Sequence, residues 1–136
     1  MVGTAMAQDA DWRVVDNPHQ EDIEYSFGAT HTPRVEVEGI RWRSLRIEAP
    51  DSDQLVDGET FETEVTLEIE NRRSKSAKIL VILLLEDADG NPLDRIEVKQ
   101  FKIAGGRLKE RNETASLSSE VIRSARRVYV FFEILQ

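Results

Sequence analysis

From Val35 onward, apolar and polar residues alternate along the chain with the period of two that places one strand face in a core and the other in water. Val35 and Val37 share one face. Gly39 permits a bulge, Ile40 and Trp42 continue the pattern, and Leu45 and Ile47 resume it after a second shift. Turn-forming residues follow between 49 and 58. Phe61, Thr63, Val65, Leu67 and Ile69 then alternate without error against Glu62, Glu64, Thr66, Glu68 and Glu70. Residues 79–85 are different: an unbroken apolar run of Ile, Leu and Val between Lys78 and Glu86, closed by turn chemistry at 87–92. Such a run predicts a strand covered on both faces. It is far shorter than the ~20 residues a membrane helix needs. A strand over 93–103 carries Ile96 and Val98 on one face and Phe101 and Ile103 on the other, so an irregularity is expected near Lys99 and Gln100. A short strand at 114–118, a loop or single helical turn at 119–125 with Ser119 as its cap, and a last strand at 126–135 complete the pattern. Six strands with closely spaced turns predict an all-β, immunoglobulin-like antiparallel β-sandwich over residues 34–136.

Two of these strands have too many apolar residues for a two-layer sandwich, whose strands keep one face wet. Ile79, Val81, Leu83 and Leu85 fill one face of the central strand; Leu80, Ile82 and Leu84 fill the other. In the last strand Val128, Val130, Phe132 and Ile134 oppose Tyr129, Phe131 and Leu135. If the strands are neighbours, Leu80, Ile82, Leu84, Tyr129 and Phe131 form an apolar outer face that calls for a cover. The alternative is that both faces are internal, with the crossover at 121–125 lying over the second one.

Residues 8–33 show neither strand nor helix periodicity and predict an extended N-terminal arm. Trp12, Val14, Val15, Ile23, Tyr25 and Phe27 are apolar anchors that should hold part of it against the body, with a short strand at 24–27. Ahead of the arm, Ala5-Met6-Ala7 has the small-x-small form of a signal-peptidase site. Residues 1–7 lack a basic and a full apolar region, and read as the remnant of an export signal whose upstream part precedes Met1. The other reading is an ordinary Ala-rich N-terminus. Export would place the protein in the periplasm or outside the cell.

Composition narrows the functions. A net charge of −8 over 136 residues argues against general affinity for nucleic acid or anionic lipid. Basic residues cluster locally, at Arg41, Arg43 and Arg46 and at Arg123, Arg126 and Arg127, and are expected to be solvated. Without cysteine there is no thiol nucleophile, disulfide or thiolate metal site. His19 and His31 both lie in the arm with no partner to complete a zinc set, and are expected to be solvated. Asp87, Asp89 and Gly90 share part of a calcium-loop spacing, but the glycine comes too early and Pro92 follows, so a hairpin turn is the expectation. Asp51, Asp53 and Asp57 make a second acidic loop, and the sequence gives no strand pairing from which a shared metal site would follow.

The strand closed by Asn71, the basic turn after it, the strand ending in Leu83, Leu84, Leu85, Glu86 and Asp87, and the Asp89-Gly90 pair resemble the FxLYD-type and related immunoglobulin-like domains of bacterial and archaeal envelope proteins. Gly105-Gly106 before the strand containing Leu117 is similar to the glycine-rich turn of that family. The resemblance covers about residues 61–135. Leu83 and Glu86 stand where the family carries aromatic residues. It implies an accessory, non-catalytic envelope module and carries over no catalytic residue.

Together these readings predict an exported interaction module, not an enzyme, without cofactor or membrane insertion. It would use the apolar face to self-associate or to dock a protein partner. Two alternatives stand beside it. One is a small-molecule or carbohydrate-binding module that stacks ligand on Trp12, Tyr25 or Trp42. The other is a polymer subunit joined by N-terminal strand addition.

Overall fold

The structure is a computed structural model that describes residues 12–135; the suspected signal remnant at 1–7 lies outside the described residues. Among the described residues the chain forms ten strands and one short α-helix, in the order β1 (Arg13–Val15), β2 (His19–Glu24), β3 (Thr30–His31), β4 (Val35–Val37), β5 (Ile40–Glu48), β6 (Thr60–Asn71), β7 (Ala77–Glu86), β8 (Pro92–Ile103), β9 (Leu108–Ser118), α1 (Ser119–Ser124) and β10 (Arg127–Leu135). They form two sheets. The first runs β1-β4-β5-β6-β9, with β3 also paired to β5; the second runs β2-β10-β7-β8.

The alternation read in the sequence decides which side chains lie between the sheets. Thr63, Val65, Leu67 and Ile69 of β6 are buried, as are Ile79, Val81, Leu83 and Leu85 of β7 and Val128, Val130, Phe132 and Ile134 of β10. At the centre, Trp42 of β5 stacks on Phe132 of β10 across the two layers.

The pairing has the immunoglobulin pattern. Strand β6 lies between β5 and β9, as the second strand of such a sandwich lies between the first and fifth, and β7 lies between β10 and β8. The position beside β10, ordinarily filled by a seventh strand that follows it in sequence, is filled here by β2, from before the sandwich.

The expected arm is therefore corrected: residues 13–31 are woven into both sheets. β1 pairs with β4, the one parallel pair among the described residues, and β2 pairs with β10 from Glu24–Arg127 to His19–Phe132. Between them the chain crosses from one sheet to the other at Asn17, whose peptide to Pro18 is cis. The Asn17 amide donates to the Ile134 carbonyl (2.9 Å) and its oxygen accepts from the Ile134 N–H (3.0 Å), so a side chain continues the ladder where the backbone has left it. The tyrosine at 25 then ties the segment to β5: its hydroxyl donates to the Ala29 carbonyl and accepts from the Ile47 N–H, both at 2.7 Å. The expected strand at 24–27 is displaced to 19–24.

Four smaller features also settle. Gly39 is not a bulge. With Glu38 it makes the two-residue turn between Val37 and Ile40, both at positive φ, as the β4–β5 hairpin requires. The expected second shift is a register change between Trp42 and Ser44, and the expected irregularity near Lys99 and Gln100 is a bulge opposite Leu80. The cap of α1 is Ser118 rather than Ser119; the Ser118 hydroxyl accepts from the Val121 N–H.

Candidate functional site: the outer face of the second sheet

Strands β7 and β10 are neighbours, and their register brings all five expected surface residues together. Ile82 lies opposite Phe131, Leu84 opposite Tyr129, and Leu80 opposite Glu133. With Leu135 they form a half-buried apolar stripe on the side of the sheet turned away from the core, interrupted by Glu133 opposite Leu80 and by Lys78 opposite Leu135. The crossover does not cover it. Helix α1 packs against β9 and sends Ile122 into the core instead.

Polar strands border the stripe on both sides. On β2, Gln20 aligns with Phe131, Asp22 with Tyr129 and Glu24 with Arg127. On β8, Glu97 aligns with Ile82, Arg95 with Leu84 and Lys102 with Lys78. The Tyr129 hydroxyl donates to Gln20 Oε1 (2.6 Å), and Arg127 Nε donates to Asp22 Oδ1 (3.0 Å). These side chains fold over the edges of the stripe, which is why its residues are half-buried rather than bare.

Glu86 closes the stripe at one end, a position that the sequence pattern does not mark as buried. It sits opposite Arg127, is buried, and leaves Oε1 without a hydrogen-bond partner. Burial pushes its carboxyl above the usual carboxylate range, and neighbouring Asp22 pushes it further; Arg127 opposes the shift. The only advance signal was a carboxylate ending an apolar strand.

The other sequence candidates are occupied. Trp42 is fully buried against Phe132, and Tyr25 is buried and hydrogen-bonded. Trp12 is half-buried beneath the guanidinium groups of Arg41 and Arg43, 4.8 and 5.8 Å from its ring centre. The expectation that both histidines are solvated is corrected. His19 is buried with Nε2 3.2 Å from Glu21, and His31 is half-buried; burial lowers the pKa of each. The basic clusters meet carboxylates: Arg41 with Glu36, Arg43 with Glu68 and Glu70, Arg46 with Glu48, Arg123 with Asp57.

The turn at 87–91 is a β7–β8 hairpin loop whose carboxylate is used internally. Asp87 Oδ1 accepts from the Asp89 and Asn91 N–H groups, each at 2.9 Å, and Oδ2 from the Asn91 amide at 3.1 Å. These bonds hold the Asp87 carboxyl below its usual range. Among the described residues no three His, Cys, Asp or Glu side chains converge to hold a metal ion, and no helix is long and apolar enough to cross a membrane.

No family model matches the chain, and no curated protein matches it. Among solved structures it is similar to a DUF1425 family member from Shewanella sp. pv-4, with TM-score 0.41 and 12% identity over 71% of this chain and 77% of that one. It is also similar to Ptr ToxA, an RGD-containing host-selective toxin of Pyrenophora tritici-repentis, with TM-score 0.40 and 12% identity over 90% of this chain and 95% of the toxin.

Proposed function

We propose that this chain is a non-catalytic interaction module of the cell envelope, periplasmic or extracellular, that docks a protein through the outer face of the β2-β10-β7-β8 sheet. The observation that carries the reading is the contrast between the two outer faces of one sandwich. On the first sheet, Glu62, Glu64, Thr66, Glu68 and Glu70 of β6 point outward beside Arg41 and Arg46 of β5. On the second, six of the outward positions of β7 and β10 are apolar, Leu80, Ile82, Leu84, Tyr129, Phe131 and Leu135, with Lys78, Glu86, Arg127 and Glu133 at the others. Burying a large apolar side chain is worth roughly 1.5–3 kcal/mol, so a sheet that holds six half in water gains from a partner that finishes the burial.

The test is a photo-crosslinking residue placed at Ile82 of the full chain in its source cells, with Glu64 as the control position. The reading expects protein adducts at Ile82 and none at Glu64, with adducts recovered from the envelope fraction. Equal labelling at the two positions overturns it.

A further inference from the structure

We infer that the protein docked on this face is a second copy of the chain, related by a two-fold axis that runs parallel to the strands and passes between β7 and β10. The inference rests on the reading of the face as a docking surface and adds its occupant and geometry.

Charge selects the arrangement. The outward side chains of β2 bring two carboxylates, Asp22 and Glu24, and no cation. Those of β8 bring two cations, Arg95 and Lys102, with one carboxylate, Glu97. Within one copy Arg127 of β10 pairs with Asp22 (3.0 Å) and Glu24 (3.8 Å), and Arg95 pairs with Glu97 (3.0 Å). This leaves the stripe a net acidic border on one side and a net basic border on the other. Two copies can meet face to face about an in-plane axis in two ways. An axis across the strands lays acidic β2 on acidic β2 and basic β8 on basic β8, which like-charge repulsion opposes. An axis along the strands lays β2 over β8 of the second copy.

The register then sets the pairs, because this rotation keeps each row at its own height. Asp22, Tyr129, Leu84 and Arg95 share one row, so Arg95 meets Asp22 of the second copy while Leu84 meets Tyr129. In the next row Ile82 meets Phe131, and one row the other way Glu86 meets Arg127. At the far end Glu133 falls over Leu80 and beside Lys78. Each contact occurs twice, as a self-complementary interface requires.

The size is consistent with a modest, reversible dimer. Four strands about 4.8 Å apart, sharing the nine-residue β7–β10 ladder, give a patch of roughly 19 by 30 Å, or about 600 Å² per copy. The total of about 1,200 Å² is at the lower end of specific interfaces.

The test is charge exchange read by sedimentation of the full chain. Asp22 and Arg95 are both exposed, so Asp22→Arg and Arg95→Asp leave the core intact, and circular dichroism checks that they do. Wild type is expected to associate reversibly. Each variant alone sets two like-charge pairs across the axis and should dimerise at least about tenfold more weakly. An equimolar mixture of the two restores both opposite-charge pairs and should recover association as a mixed dimer. Failure to recover on mixing overturns the two-fold arrangement. A wild-type chain that remains monomeric overturns the second copy as occupant, while adducts of other mass at Ile82 would keep the docking reading. A dimer that Ile82→Glu with Phe131→Glu leaves unchanged overturns both.

Discussion

The indole of Trp42 lies 5.1 Å from the ring of Phe132 and within 9° of parallel to it, and this stack joins the two sheets at the centre of the core. Trp42 is held on β5 by strand pairing on both sides, with Val35 and with Ile69; Phe132 lies between Val81 and His19. Both rings are therefore fixed by strand pairing on either side. The Trp42 Nε1–H donates to the Ser44 carbonyl at 2.9 Å, across the register shift, so the buried polar atom of the indole is satisfied by the bulge itself.

Truncating this stack should cost about 3–5 kcal/mol, the range for removing a large aromatic side chain from a packed core. Urea denaturation of Phe132→Ala, followed by circular dichroism, measures it. Phe132→Leu keeps much of the volume and should lose clearly less. Equal losses in the two variants would show that ring stacking, rather than filled volume, is what Phe132 contributes.

The N-terminal segment should prove part of the fold rather than an appendage. A chain beginning at Arg34 loses β2, which covers the edge of β10, together with the buried side chains of His19, Ile23 and Tyr25. At roughly 1.5–3 kcal/mol for each large apolar side chain, the loss is a large share of the ~5–15 kcal/mol that holds a domain together. The truncated chain is expected to melt well below the full one and to aggregate through the bared strand. Matching denaturation midpoints would sink this expectation.

What was legible in the sequence follows from how the signal arises. Strand β6 and the inner faces of β7 and β10 announce themselves because each buries alternate residues over its length. The five face residues were legible for the same reason, since apolar residues at the wet positions of two strands break the period. β2 was not, because as an edge strand it buries only His19 and Ile23 and its other positions are Gln, Asp and Glu. The pattern marks only the second half of β9, because Lys109, Arg111 and Glu113 occupy its inward positions, with Lys109 and Arg111 lying over the ring of Phe101. Inward charges at an edge are a known defence against pairing with another chain, and they erase the apolar alternation that would mark a strand. Glu86 was invisible as a buried acid because its burial depends on Asp22 and Arg127, brought to it by two other strands.

Asn71 should be intolerant of change. It is completely buried at the end of β6, and its amide donates to the carbonyls of Lys75 and Ile103, each at 2.9 Å, while its oxygen accepts from the Arg73 N–H at 2.8 Å. Asn71→Ala leaves those groups unpaired, a loss of about 2–4 kcal/mol at roughly 1 kcal/mol or more for each bond. Asn71→Asp keeps the acceptor, loses both donated bonds and buries a charge, so it should be no better. Gly105 guards the same corner: a Cβ there would stand 2.3 Å from the Ser74 carbonyl oxygen, closer than packed atoms allow. Thermal melts should place Asn71→Ala and Gly105→Ala well below wild type, and a tolerated alanine at either position would mean that the corner can open.

The Glu86 carboxyl should make stability depend on pH in the direction opposite to an ordinary ion-paired acid. Burial, followed by the neighbouring Asp22, holds its pKa above the 4.5 of a free glutamate, so the folded chain binds this proton more tightly than the unfolded chain does. As pH rises past 4.5 the unfolded state releases the proton first, and the folded state falls in relative stability until its own raised pKa is passed. Above that point the deficit is constant; below 4.5 both states hold the proton and there is none. Glu86→Gln keeps the shape, carries an amide N–H that can face Asp22, and never ionises. Its chain should therefore be more stable than wild type at neutral pH, with the advantage shrinking to nothing in acid. Urea midpoints for the two chains across that range check both the sign and the convergence. A variant less stable than wild type at neutral pH would mean that the ionised carboxylate is held by Arg127 strongly enough to outweigh its burial.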